Sequence, residues 1–143
     1  MAEDKVRRAE CACGQLSVEV AGDPEFLPIC GCRYCRKRTG SVYGAGAYFN
    51  ASQVQAINGD STVFRRGSDS GRYIEGNFCP TCGTTLYWRA ELWPDRLAVA
   101  VGCFEDFDLP KPQIAVYTEH IQGWAGFDGD IPSFPGARPQ PTS

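Results

Sequence analysis

Seven of the eight cysteines stand in three tight groups: Cys11 and Cys13; Cys30, Cys32 and Cys35; Cys79 and Cys82. Cys103 stands alone. This crowding constrains the fold more than any other feature, because sulfurs one or two residues apart can converge on one ion at about 2.3 Å. The alternative use of so many cysteines is a disulfide framework. The N-terminus, MAEDKVRRAE, argues against it: it is charged and lacks the apolar stretch of a secretory leader. The expected compartment is the cytoplasm, where disulfides are rare. Clustered, reduced thiols then read as metal ligands, and metal would supplement a limited core.

The rest of the chain fits a single small domain. It is 43% hydrophobic and 22% charged, as in an ordinary soluble globular protein. No apolar run approaches the roughly 18 residues needed to span a bilayer. A net charge of −3 provides no field favouring nucleic acid or an anionic membrane. Short segments of strand character follow one another. In QLSVEV, Leu16, Val18 and Val20 alternate onto one face. SVYGAGAYF, STVFRRG, GRYIEGNFC and TTLYWRA are aromatic or β-branched and bounded by turn residues. In RLAVAVGCF, Leu97, Val99, Val101 and Cys103 share a phase, which predicts a buried core thiol at Cys103. QIAVYTEHI reads as a further strand. RYCRKRT predicts a short helix ending near Gly40, and NASQVQAIN one or two helical turns. The expected organisation is a flexible segment over 1–10, one zinc domain over 11–134, and a frayed tail over 135–143.

FCPTCGTTLYW carries the strongest local signal. In Cys-Pro-x-Cys-Gly the proline pre-sets a turn and the glycine accepts positive φ. Backbone N–H groups can then face both thiolates, which makes Cys79 and Cys82 half of a zinc clamp. Two partners compete for the other half. Cys32 and Cys35 would complete an ordinary zinc ribbon. Cys11 and Cys13 would instead leave Cys30, Cys32 and Cys35 as a separate three-thiolate cluster. Ligand counting leans to the second, which uses all seven clustered cysteines, but the residues alone leave both open.

The ordered set CACG, CGCRYCRKRTG, FCPTCGTTLYWR, LAVAVGCFED and VYTEHIQGW resembles the glutathione-dependent formaldehyde-activating enzyme family, from about Cys11 to Phe134. The resemblance implies an all-β fold with one or two short helical turns, in which two packed antiparallel sheets form a zinc-stabilised β-tent. It also implies the second pairing. Cys11, Cys13, Cys79 and Cys82 match the family's structural zinc ligands, and Cys30, Cys32 and Cys35 match its catalytic zinc ligands. Gly31 departs from the pattern, since many relatives carry a polar residue such as His there. That departure counts against glutathione itself as substrate.

A zinc ion with three protein ligands keeps one position open. The implied activity is that of a carbon–sulfur lyase, making or cleaving the adduct of a small thiol with formaldehyde or a similar carbonyl. Three thiolates leave the metal electron-rich, which favours holding a substrate thiolate over polarising a carbonyl. Arg33, Arg36 and Arg38, with Lys37, would form a cationic approach for an anionic substrate; a solvated basic face is the plainer reading. Glu119 and His120 are candidate proton shuttles, or simply polar residues at a strand end. Tyr48, Phe49, Tyr87, Trp88 and Trp124 would wall a pocket or fill a core. A non-catalytic zinc-stabilised binding module is the alternative function. Chromatin association lacks the basic tail it would need. A homodimer is compatible with all of these features.

Overall fold

The computed structural model describes residues 5–68 and 71–138; the ends of the segments expected to be flexible, 1–4 and 139–143, lie outside the described residues. Ten strands form two sheets. Three of them, β1 (Val6–Glu10), β2 (Ser17–Ala21) and β5 (Val54–Asn58), make a small antiparallel sheet in the order β1-β2-β5. The large sheet has the order β10-β3-β4-β9-β8-β7-β6. Its strands are β3 (Pro28–Cys30), β4 (Gly44–Asn50), β6 (Thr62–Arg66), β7 (Ile74–Phe78), β8 (Thr85–Ala90), β9 (Arg96–Ala100) and β10 (Ile114–Val116). The sheet ends in β10 and β6 and does not close into a barrel. One helix, α1 (Arg33–Thr39), follows β3 and ends as the glycine predicts, with Gly40 left-handed at φ 67. No helix among the described residues is long and apolar enough to cross a membrane.

The main core lies between the sheets. Leu16, Val18 and Val20 are fully buried there, as their alternation predicts, against Ala47, Phe49, Leu97 and Val99 of the large sheet. The opposite face of the large sheet carries Tyr48, Trp88, Ala98 and Ala100. A bulge at Asn77/Phe78 shifts the register of β8, so Leu86 and Tyr87 both join the main core.

Three expectations need correction. Residues 6–10 were expected to be flexible but form β1, paired with β2 along its whole length. Arg7 is buried there, 2.8 Å from both Asp23 and Asp108, so a charged stretch is tied down by acids far away in sequence. The large sheet is not wholly antiparallel, because β10 pairs with β3 in parallel. β9 ends at Ala100, and Val101–Cys103 form a 3-10 turn, leaving Cys103 half-buried beside the core rather than within it. NASQVQAIN makes one helical turn, within the expected one or two: the 3-10 turn Ala51–Gln53, closed by a capping box, before the chain continues as β5.

Candidate metal centres and the cavity between them

The two hairpins that carry the clamp meet at one end of the molecule. Cys11 and Cys13 follow β1 in a turn closed by Gly14, whose amide donates to the Cys11 carbonyl at 3.0 Å. Cys79 and Cys82 sit in the β7–β8 connection, where the Gly83 amide donates to the Cys79 carbonyl at 2.8 Å with φ +81. That is the role expected of the glycine in Cys-Pro-x-Cys-Gly. The four Sγ atoms all lie within 4.8 Å of one another. Cys13 Sγ is 3.7 Å from Cys11 Sγ and 3.7 Å from Cys79 Sγ. A tetrahedron with metal–sulfur bonds of about 2.3 Å has an edge of about 3.8 Å, so the two 3.7 Å spacings match those of a tetrahedral zinc site.

The surroundings favour thiolate at Cys79 and Cys82 but not at Cys13, where the Gln15 amide lowers the thiol and desolvation with the neighbouring thiols outweighs it, pushing it up to about 11. Cys79 Sγ accepts from the Gln15 side-chain amide at 3.0 Å and from the backbone amides of Thr81 and Cys82 at 3.3 and 3.4 Å. Cys11 Sγ accepts from the Leu16 amide at 3.3 Å. The Thr84 hydroxyl, 3.3 Å from Cys82 Sγ, helps hold that thiol down to about 5. Gln15 also clasps Asp60 through its carbonyl and its amide. Gly59 beside it packs so close to the Gln15 carbonyl that a Cβ would lie 1.9 Å away.

The second cluster is built differently. Cys30 ends β3, Cys32 caps α1, and Cys35 lies in the first turn. Their Sγ atoms also lie within 4.8 Å of one another, but all three residues are half-buried. Soft thiolates at this spacing again suit zinc, with only three ligands. The Cys35 amide donates to Cys32 Sγ at 3.4 Å. Hydrogen bonds from the Cys30 and Cys35 thiols hold the Cys32 thiol far below its ordinary range, and the bond to Cys32 drives Cys30 far above.

Gly31 is dictated by its ceiling. Tyr117 takes a left-handed conformation, φ 53, at the start of the 3-10 turn Thr118–His120. A Cβ at Gly31 would lie 2.5 Å from the Tyr117 carbonyl oxygen and 2.5 Å from Ile121 Cγ1. Main-chain contacts hold this roof in place: the Tyr117 amide donates to Gly136 and the Gly31 amide to Val116. The bonds to Gly136 and Pro135 fasten part of the stretch expected to be a frayed tail.

All three cysteines of the second cluster line a cavity of about 900 Å³. Of the expected substrate arginines, Arg38 lines it, stacked 4.1 Å over Trp88. Gly46 makes room for that indole, since a Cβ there would lie 2.5 Å from the ring. Arg33 instead lies over Tyr34, and Arg36 donates to the Gly31 carbonyl at 2.9 Å. Tyr48 and Trp88 wall the cavity, Phe49 and Tyr87 belong to the core, and Trp124 is 78% exposed. Glu119 and His120 lie 3.4 Å apart, half-exposed, and are not among the described lining residues. The sequence reading missed Arg66 and Arg138, which line the cavity over Tyr34 and Phe26. The phase of β6 contained part of the signal, since Phe64 and Arg66 lie two apart and both face the cavity.

A family model described as glutathione-dependent formaldehyde-activating enzyme matches residues 6–120. Among solved structures, a Rhodobacter sphaeroides protein is similar with a TM-score of 0.55 and 24% sequence identity, over 71% of this chain and 90% of that one. That likeness bears on the fold. No curated protein matches.

Proposed function

The chain belongs to the glutathione-dependent formaldehyde-activating enzyme family, and on that premise we propose that it makes and cleaves the carbon–sulfur bond of a thiol–aldehyde adduct. In this reading Cys11, Cys13, Cys79 and Cys82 hold a structural zinc, and Cys30, Cys32 and Cys35 hold a zinc with one open position. The observation that carries it is the convergence of those three sulfurs on the wall of a cavity large enough for a substrate. A closed scaffold has no need of an incomplete ligand set facing a cavity.

Zinc at the three cysteines would keep an incoming thiol in its nucleophilic thiolate form. The chain's own residues do the rest. Trp88 and Tyr48 exclude water from one side of the reacting groups. Arg38, fixed over Trp88, places a cation beside the cluster and favours an anionic substrate. Burial pushes the Tyr48 phenol up, so it stays protonated and can donate a hydrogen bond to the adduct oxygen. In the forward direction the sulfur–carbon bond forms as the carbonyl π bond breaks, and the thiol proton ends on oxygen. The reverse direction returns thiol and aldehyde.

The test is exchange between a thiol and its formaldehyde adduct, followed by NMR. The wild type should accelerate it, and a folded Cys32→Ser protein that still binds one zinc should not. Unchanged exchange in that variant would sink the proposal.

A further inference from the structure

The cavity chooses a kind of ligand more narrowly than the reaction does. Its volume of about 900 Å³ lies near the upper end of the roughly 300–1,000 Å³ usual for small-molecule sites, far more than formaldehyde and a small thiol require. Much of its wall is aromatic. Phe26, Tyr48 and Trp93 form a nest of tilted and edge contacts with ring centroids 5.6–6.4 Å apart, and Tyr48 continues it to Trp88 at 6.5 Å. Into this wall project four cations: Lys37, Arg38, Arg66 and Arg138. The three guanidiniums are stacked on rings at 4.1, 4.3 and 5.4 Å. None of the four takes part in an ion pair among the described residues, and no described lining residue is a carboxylate.

We propose that this cavity takes a thiol whose apolar arm ends in an anionic group and bears no ammonium. Aromatic faces bury the arm, and the ring-stacked guanidiniums bind the anion while each keeps its flat side desolvated. A zwitterionic peptide thiol fits less well. Its ammonium would enter a field of four cations without a carboxylate to receive it, and like-charge contacts of that kind discriminate strongly. Glutathione is such a thiol. The inference relies on the proposed function only in placing the ligand's sulfur at Cys30, Cys32 and Cys35.

Binding and turnover test the two separately. Calorimetric titration of the zinc-loaded protein compares octanoate, octylamine and S-methylglutathione. Octanoate should bind at least about tenfold more tightly than either of the others. Arg66→Gln and Arg38→Gln should each weaken octanoate by about fivefold to tenfold. Arg66 lies on the terminal strand β6, so its variant serves where loss of the Trp88 stack disturbs the fold. In turnover, the formaldehyde adduct of 8-mercaptooctanoate should exchange faster than that of glutathione. Octylamine or S-methylglutathione binding as tightly as octanoate would overturn the inference, as would unchanged octanoate affinity in both folded arginine variants. Tight octanoate binding without exchange of either adduct would sustain the ligand class and overturn the lyase reading instead.

Discussion

The two cysteine clusters use one residue type under opposite conditions. In the clamp, Cys11 and Cys79 are buried, and each receives at least one N–H donor, three in the case of Cys79. It joins the β1–β2 turn of the small sheet to the β7–β8 turn of the large one. In the triple, every cysteine is half-buried, and Cys32 takes hydrogen bonds from the neighbouring thiols and from the backbone amides of Cys35 and Tyr34. In the proposed reading the ligand type is the same at both sites, and what would set the structural site apart from the open one is the burial of two of its sulfurs and the donors around them. Sulfurs whose charge is already compensated by the backbone suit a closed, permanent site. Sulfurs left to compensate one another suit one that is completed by something arriving from the cavity.

Substitution separates the clusters most sharply. Cys79→Ser removes a ligand and the acceptor of three hydrogen bonds. Structural zinc contributes apparent folding free energies of about 10–16 kcal/mol in small domains, comparable to the whole stability of a protein this size. The variant should be unfolded at room temperature by circular dichroism. Wild-type melting would break the contrast. Cys32→Ser should instead keep the fold and about one zinc per chain by metal analysis, while adduct exchange falls by about 100-fold or more. Loss of both zincs in Cys32→Ser would mean that the clusters are not independent.

Two smaller effects sharpen the same comparison. Gly31→Ala presses a methyl group against the Tyr117 carbonyl and Ile121. Overpacking of this kind costs about 1–3 kcal/mol. Denaturant unfolding should show that loss, and adduct exchange should drop with it, while zinc at the clamp is retained. The acid limit should act on the clamp side, where β1 is anchored. Lys5 and Arg7 hold the Asp108 carboxyl down to about 2 in the folded protein, against an ordinary value near 3.8. The unfolded chain therefore binds more protons in that interval, and the ion pair's contribution is complete above about pH 4 and lost as pH falls through about 2. The stability gap between wild type and Asp108→Asn should close over that window, and a constant gap would discount the pairing.

Local features of the fold were legible in the sequence, and distant ones were not. The alternation of Leu16, Val18 and Val20, the turn at Cys-Pro-x-Cys-Gly and the helix stop at Gly40 each depend on neighbours within a few residues. β1 was misread because burial of Arg7 depends on Asp106 and Asp108, about a hundred residues on. The same limit hid Arg66 and Arg138, which reach the cavity from β6 and from the tail. Cys103 was misplaced because alternation cannot show where a strand stops, and β9 gives way to a 3-10 turn after Ala100. Tyr48 and Phe49 could have been separated in advance, since neighbours on a strand face opposite sides of the sheet. Gly31 looked like a missing functional group, and its cause is the left-handed Tyr117 pressed against it.

The parallel pairing of β10 with β3 also sets an order of events during synthesis. Every clamp cysteine has left the ribosome once residue 82 is clear, so that site can close on the nascent chain. The triple is complete by Cys35, yet its roof comes from Val116, Tyr117 and Ile121, fastened in turn by residues 134–136. Cys30, Cys32 and Cys35 thus spend most of translation uncovered. A newborn chain carries all four clamp cysteines well before the roof over Gly31 is in place, and during that interval Cys30, Cys32 and Cys35 stand open to oxidants and to any passing metal.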